Sequence, residues 1–273
     1  MRTATTSIDS PRRGRVRKGK VGDARRSALI TVAARHFRDK GFDATTTRAI
    51  ADAIGMQSGS PFYHFKSKNA LLFAVMEEGM IAAQRSQDAV LAALPEDVCA
   101  REALYGLVLN HLCVLWLPGN DFVAVMLHEW RSITAGQRRK IQQLKDAYEE
   151  PWRRVLAALH AEGRLGTNAS LARSMLFGIM HGTLHWFSAK NLAKNLAKTP
   201  ARNASKRPLT IEQLAQECVN AMVSQSPSGA VAGADFRRAD LLAPASPRSG
   251  DGVAPAKTRS SRVALRVIRG KAG

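Results

Sequence analysis

The sequence predicts an all-α protein, with a small N-terminal helical domain, a larger helical domain after it, and basic tails at both ends. Between about residues 23 and 225, apolar residues recur at helical spacing almost throughout, for example at Ile30, Ala33, Ala34 and Phe37. No sustained alternation of apolar and polar residues bounded by turn dipeptides is present, so no strand is predicted.

Composition adds a strong positive charge, because 41 Lys and Arg stand against 22 Asp and Glu, for a formal net charge of +19. Such an excess attracts polyanions but does not choose between nucleic acid and an anionic membrane surface. The longest apolar stretch, residues 103–117, is too short to span a bilayer and carries Asn110 and His111. With no apolar signal segment at the N-terminus and three widely spaced cysteines, we expect a cytoplasmic protein without a membrane partner.

Changes in composition along the chain suggest four segments. Residues 1–22 form a basic arm without periodicity, and residues 226–273 form a tail rich in Ala, Pro, Ser, Gly and Arg. Both are expected to be disordered. Residues 23–82 and 83–225 are the two helical domains.

The first two helices have recognisable boundaries. A helix over about 23–40 should stop at Gly41, which can take the left-handed conformation, with Phe42 packing back on the last turn. Thr46 is a plausible N-cap for the next helix, although its capping box is incomplete because Ala rather than Glu or Gln stands three residues on. Gly55 should end that helix.

A short helix over about 59–65 follows the turn "GMQS". Two short helices joined by a Gly-containing turn are the helix-turn-helix arrangement, whose second helix places its N-terminal residues on base edges in the major groove. Pro61 is tolerated in a first helical turn, which favours Ser58 as the N-cap. An aromatic cluster after a turn is more often simply core, and we expect this of Phe65. The polar residues Tyr63 and His64 exceed what a core needs, which favours nucleic acid.

The stretch "TTTRAIADAIGMQSGSPFYHFKSKNALL", residues 45–72, resembles the helix-turn-helix of the TetR family of bacterial transcriptional regulators, and the match extends over about residues 24–80. The resemblance implies that the first short helix crosses the DNA backbone and that the second reads bases. Two positions depart from the family pattern: Pro61 replaces a usual Leu or Ile, and Phe62 replaces a usual Tyr whose hydroxyl often contacts a phosphate. The DNA-contacting residues that the resemblance implies are Thr46, Thr47, Arg48, Gln57, Ser58, Gly59, Ser60, Phe62, Tyr63, His64 and Lys68.

Helical periodicity continues into the larger domain. Pro151 is expected to bend or split one long helix at Glu150. The predicted helices cover roughly residues 68–94, 97–117, 121–132, 135–163, 169–190 and 210–223.

In the TetR family this part is a dimerisation and ligand domain, and here it is similar to members with lipid-like effectors, often acyl-CoA thioesters. Several large side chains, Met175 among them, could line an apolar pocket, although aromatic residues at helical spacing are more often plain core. The candidate ligand-binding residues are Trp116, Met126, Trp130, Trp152, Phe177 and His181.

No metal, cofactor or catalytic site is predicted. His181 and His185 have the i, i+4 spacing of two metal ligands, but no third ligand can be named. No Gly-rich nucleotide loop and no nucleophile–base arrangement has a recognisable signature. We therefore do not expect an enzyme.

The leading hypothesis is a sequence-specific DNA-binding regulator of the repressor type. It would act as a homodimer on a pseudo-palindromic operator in double-stranded DNA and be released by a small hydrophobic effector. The alternative is an architectural, sequence-indifferent nucleic-acid-binding protein led by the two basic tails.

Overall fold

The computed structural model describes residues 15–56, 64–117, 119–186, 209–224 and 236–242. Within these ranges the chain is helical apart from turns, and its bridge pairing outside helices is an isolated antiparallel contact between Leu165 and Val223. The all-α prediction is therefore confirmed. Contacts divide the chain into two compact units, residues 1–75 and 76–273.

Helix boundaries agree with the sequence patterns to within a few residues, with two exceptions. The first helix begins at Arg15, so residues 15–22 of the arm expected to be disordered are helical, and a short helix at Arg238–Leu242 lies in the tail expected to be disordered. The predicted helix over about 59–65 lies largely outside the described residues. In the described part of the chain, no helix is long and apolar enough to cross a membrane. The helices are α1 (Arg15–Lys40), α2 (Thr47–Ala53), α3 (Lys68–Ala92), α4 (Ala100–Trp116), α5 (Phe122–His128), a 3₁₀ turn (Trp130–Ser132), α6 (Ala135–Ala161), α7 (Ala169–Trp186), α8 (Ile211–Met222) and α9 (Arg238–Leu242).

Local signals at the ends of α1 and α2 act as predicted. Gly41 follows α1 with a φ of 80°, and the Phe42 ring centroid lies 5.5 Å from that of Phe37 on the last turn. The Thr46 hydroxyl accepts a hydrogen bond from the Ala49 amide at 3.1 Å, which satisfies one donor of the first turn of α2. Gly55 has a φ of 67°, a conformation that glycine adopts without strain, and it follows the end of α2.

The second unit is built around α4, whose residues from Ala103 to Leu115 are all buried. A helix that is apolar all round must be covered on every side, and α5, α6, α7 and α8 pack against it. This confirms the reading of residues 103–117 as a buried helix. Capping boxes begin two of the surrounding helices, at Thr134 before α6 and at Thr210 before α8.

Pro151 does not split α6: the helix continues from Ala135 to Ala161 across Glu150, so the predicted split is wrong and the predicted bend stays a prediction. A proline has no N–H for the carbonyl group four residues before it, which here is that of Ala147. One residue further on, the Gln87 side chain of α3 donates to the Tyr148 carbonyl oxygen at 2.9 Å. The turn before the proline is therefore held by a contact from another helix, which supports α6 where it lacks one internal bond.

Candidate functional sites

The N-terminal end of α2 is exposed, as a contact with an extended partner requires. Thr46 is exposed and Thr47 is half-buried. The Arg48 side chain is 80% exposed, and its Nε atom lies 3.9 Å from the carboxylate of Asp52, whose side chain is 63% exposed. So long an ion pair at the surface contributes little to stability, so the guanidinium can exchange Asp52 for a phosphate or a base edge at small cost.

Lys68 serves the fold of the first unit. Its ammonium group donates to the carbonyl oxygens of Phe42 at 2.8 Å, Asp43 at 3.3 Å and Thr45 at 3.0 Å, and it lies 4.2 Å from the Phe42 ring centroid. All three ammonium protons therefore have acceptors in the loop between α1 and α2. This geometry favours a role in holding the loop, and hence the start of α2, over the phosphate contact that the sequence predicts.

The region between Gly55 and Phe65 carries most of the predicted base contacts. His64 is helical and half-buried. Phe65 is 7% exposed and lies under the Arg26 guanidinium, 5.2 Å from ring centroid to Cζ, which confirms its predicted place in the core. The remaining contacts stay predictions, because they fall outside the described residues: Gln57, Ser58, Gly59, Ser60, Phe62 and Tyr63.

The second unit contains a cavity of about 250 Å³ between α3, α4, α5, α6 and α7. Its walls are mainly apolar, with polar and charged groups at intervals, a composition typical of small-molecule sites. The apolar residues are Met80, Ala83, Val114, Phe122, Val123, Met126 and Phe177, and the polar ones are His111, Tyr148, Ser174, His181, Lys145, Glu149 and Arg173.

Three of the six candidate ligand-binding residues lie on this cavity, namely Met126, Phe177 and His181. Trp152 is completely buried behind the wall, with its ring centroid 4.8 Å from that of Phe177. It supports the lining without being part of it.

Trp116 and Trp130, the two remaining candidates, do not line the cavity either. Trp116 donates from its indole nitrogen to the Thr183 hydroxyl at 2.9 Å, which joins α4 to α7. Trp130 presents its ring to the Lys145 ammonium group at 5.6 Å from the ring centroid. Trp130 therefore affects the cavity through Lys145, which was not among the candidate ligand-binding residues.

A buried polar chain leads into the cavity. The Tyr148 hydroxyl lies 2.9 Å from His111 Nδ1, and His111 Nε2 lies 3.3 Å from His181 Nε2. Burial lowers the pKa of His111 well below its usual value, and the neighbouring His181 lowers it further. Burial and the nearby Lys145 charge also lower the pKa of His181. Both imidazoles are thus neutral at pH 7, and each can donate at one nitrogen and accept at the other.

Gln87 ties the cavity wall to α3. Its completely buried amide donates to the Tyr148 carbonyl and accepts from the Trp152 indole nitrogen at 2.8 Å. No spacing in the sequence could have found His111, Tyr148 and Gln87 together, because they come from α4, α6 and α3. The one available signal was that polar side chains interrupt otherwise apolar helices.

Metal binding has no support in the described part of the chain, where no group of three or more His, Cys, Asp or Glu side chains could hold an ion. His185 is exposed at the end of α7, whereas His181 faces the cavity. The i, i+4 pair therefore does not converge with a third ligand among these residues.

The outer face of α7 carries an apolar stripe that the described residues leave exposed. Met175, a candidate for the cavity lining, lies on this outer face instead. Leu171, Met175 and Ile179 are 48%, 46% and 40% exposed, and their four-residue spacing puts them on one side of the helix. Gly178 and Gly182 have open space where a Cβ atom would stand, as far as the described residues show. Small and apolar residues in one stripe allow another helix to approach closely.

Comparison with known proteins agrees with this architecture. The family model "Bacterial regulatory proteins, tetR family" matches residues 29–75, and "Tetracyclin repressor-like, C-terminal domain" matches residues 100–190. The chain is 46% identical to the HTH-type transcriptional repressor KstR2 of Mycolicibacterium smegmatis over 55 residues, or 20% of this chain and 27% of that protein. It is 27% identical to KstR2 of Rhodococcus jostii over 160 residues, or 58% and 76% of the two chains.

Two solved structures show the fold over most of the chain. The superantigen PfiT is 33% identical with a TM-score of 0.57, covering 74% of this chain and 97% of PfiT. AibR, crystallised in complex with isovaleryl coenzyme A and operator DNA, is 24% identical with a TM-score of 0.57, covering 72% and 97%. With a helix-turn-helix model and a C-terminal model in the expected order, the chain belongs to the TetR family of bacterial transcriptional regulators.

Proposed function

We propose that this chain is a sequence-specific transcriptional repressor, which binds a pseudo-palindromic operator as a homodimer and leaves it when a small hydrophobic effector enters the second unit. The observation that carries the proposal is the combination of a family helix-turn-helix with a mainly apolar cavity on the same chain. Its place of action is the cytoplasm, where bacterial operators lie.

Operator recognition rests on the exposed start of α2 and on the helix-turn-helix residues that follow it. Arg48 is available to DNA because its surface pairing with Asp52 is long and weak. The predicted readers Gln57 and Tyr63 carry the amide and hydroxyl groups that base edges require. The basic N-terminal arm adds phosphate contacts that do not depend on sequence, so binding should weaken steeply with salt.

The experiment is selection of bound duplexes from a random pool with the full chain. An inverted repeat is expected, because two identical reading heads in a dimer contact two half-sites of opposite orientation. Deletion of residues 1–20 should weaken binding to the selected and to random duplexes alike, whereas Gln57→Ala or Tyr63→Phe should weaken the selected duplex more. Equal losses on both duplexes in all variants would favour the sequence-indifferent alternative.

Dimerisation is assigned to the apolar stripe on α7. A second copy of the chain presents the same stripe, and an isologous contact between identical apolar faces removes both from water. Leu171→Glu should dissociate the dimer in sedimentation, because it places a charge in the centre of the contact. Leu127→Glu is the matched control: Leu127 is 43% exposed on α5, outside the stripe. Equal behaviour of the two variants would contradict this assignment.

Effector release follows from the connection between the cavity and α3. Tyr148, which lines the cavity, and Trp152 behind it are hydrogen-bonded to Gln87 on α3, and α3 begins at Lys68, directly after the helix-turn-helix residues in the sequence. An effector that binds one arrangement of this wall more tightly shifts operator affinity by its differential affinity, typically about 1–3 kcal/mol. AibR, which was crystallised in complex with isovaleryl coenzyme A and operator DNA, supports the combination of a small-molecule effector and operator DNA here.

A further inference from the structure

Lys145 is the charged group of the cavity that the described residues leave without a counter-ion. It lies on α6, lines the cavity and is half-buried. Its ammonium group lies over the face of Trp130, 5.6 Å from the ring centroid. In the described part of the chain no carboxylate lies within ion-pair distance of it. The cation–π contact holds the side chain in place but does not neutralise its charge.

The carboxylate that would ordinarily pair with Lys145 is occupied elsewhere. Glu149 stands four residues along the same helix, at the spacing that lets side chains of α6 meet. Its Oε2 atom lies 3.5 Å from the Arg173 guanidinium and 3.8 Å from that of Arg153. Glu149 and Arg173 both line the cavity and offset one another.

The cavity therefore has an excess of positive charge. Its lining contains two cations, Lys145 and Arg173, against the single carboxylate of Glu149. The histidines do not alter this balance, since both have a lowered pKa and are neutral at pH 7. A half-buried cation without a partner is unfavourable, and a ligand anion that pairs with it gains more than the same contact would in open water.

We propose that the effector is an anionic amphiphile, whose carboxylate pairs with Lys145 and whose hydrocarbon part packs against Met126 and Phe177. This inference rests on the proposed function for the word effector and adds the chemical class. The apolar residues of the cavity accept the hydrocarbon part, and the head group goes to Lys145 because the other lining cation, Arg173, is already paired with Glu149. A neutral hydrophobic molecule of the same shape fills the same space and leaves Lys145 unpaired.

The test is calorimetric titration of the full chain with straight-chain fatty carboxylates of increasing length and with their methyl esters. For the chain length that fits best, the acid is expected to bind about tenfold to a hundredfold more tightly than its ester, as for a hydrogen bond to a charged group. Equal affinities of acid and ester, or no saturable binding of any acid in the series, would overturn the inference. Tighter binding of the matching coenzyme A thioester than of the acid would also overturn the inference.

Two lysines on α6 provide a matched pair of variants. Lys145→Met should abolish the preference for the acid and leave ester binding unchanged, which also shows that the cavity is intact. Lys140→Met is the control, because Lys140 pairs with Glu77 and does not line the cavity, and this variant should keep the wild-type preference. Lys145→Arg should retain most of it, since the charge remains. A preference that survives in Lys145→Met would refute the role of Lys145.

Failure of this inference can be told apart from failure of the proposed function. If the acid binds with the expected preference but leaves operator binding unchanged, the release function is wrong and the ligand class stands. If a neutral compound releases the operator while acids do not bind, the release function stands and the ligand class is wrong.

Discussion

Replacing Gln87 with Met should destabilise the second unit by far more than an ordinary conservative substitution. The Gln87 side chain is completely buried and holds two partners at once, the Tyr148 carbonyl at 2.9 Å and the Trp152 indole at 2.8 Å. Met fills a similar volume, so little of the effect should come from a cavity. The substitution removes the amide donor that serves the Tyr148 carbonyl and the amide oxygen that accepts from the Trp152 indole.

The magnitude follows from the two groups left behind. Trp152 is completely buried and Tyr148 is 4% exposed, so water does not readily replace either lost bond. The Trp152 indole is left without an acceptor, which costs about 1–3 kcal/mol. The Tyr148 carbonyl still faces the Trp152 backbone amide within the continuous helix and loses an additional bond worth about 0.5–1.5 kcal/mol. The expected loss of stability is therefore about 1.5–4.5 kcal/mol.

The measurement is urea unfolding followed by tryptophan fluorescence, with the change read from the midpoint at constant slope. Gln142→Met is the control, since Gln142 is exposed on α6 and hydrogen-bonds only the exposed Asp146 side chain at 2.9 Å. That variant should change stability by less than about 0.5 kcal/mol. Equal, small effects of the two substitutions would refute the view that Gln87 satisfies the turn before the proline.

Three further predictions concern single residues. Gly79→Ala should lower the melting temperature because the new Cβ would overlap the Phe122 ring, at an overpacking cost of about 1–3 kcal/mol against a gain in helix propensity of about 1 kcal/mol. The control Gly136→Ala, at an exposed position in α6, should raise the melting temperature. A higher melting temperature in both variants would exclude the close approach of Gly79 and Phe122. In the folded protein His111 stays neutral because its pKa is lowered, whereas in the unfolded chain it takes up a proton below about pH 6.5. The free energy of unfolding is therefore unaffected by His111 above that pH and decreases as pH falls below it, by up to about 1.4 kcal/mol per pH unit. Urea unfolding between about pH 7 and pH 5 should show a shallower loss for His111→Gln, and parallel profiles would contradict this. Lys68→Met should destabilise the first unit by about 2 kcal/mol because it removes a charged donor from three loop carbonyl groups. Lys66 is exposed, so the control Lys66→Met should leave stability unchanged. Equal hydrogen-exchange protection of α1 and α2 in the two variants would contradict this role of Lys68.

Sequence patterns that act over a few residues predicted the helices well. Interactions within one or two helical turns explain the correct predictions, which are the left-handed glycines Gly41 and Gly55, the N-cap at Thr46 and the helix at 103–117. The same reasoning predicted a split at Pro151 that does not occur, and the turn before this proline is hydrogen-bonded to Gln87 of another helix, 61 positions earlier in the chain. A proline rule applied to one helix cannot include such a partner.

What the sequence determined by itself is therefore the family, the all-α class and the ends of most helices, because each depends on near neighbours along the chain. Tertiary structure decided which large side chains face a cavity and which support it from behind. Met126 and Phe177 line it, whereas Trp152 lies behind the wall and Trp130 acts on Lys145. The physical reason is that a helical stripe specifies only that a face is buried. Whether that face meets packed atoms or an open space depends on how several helices fit together.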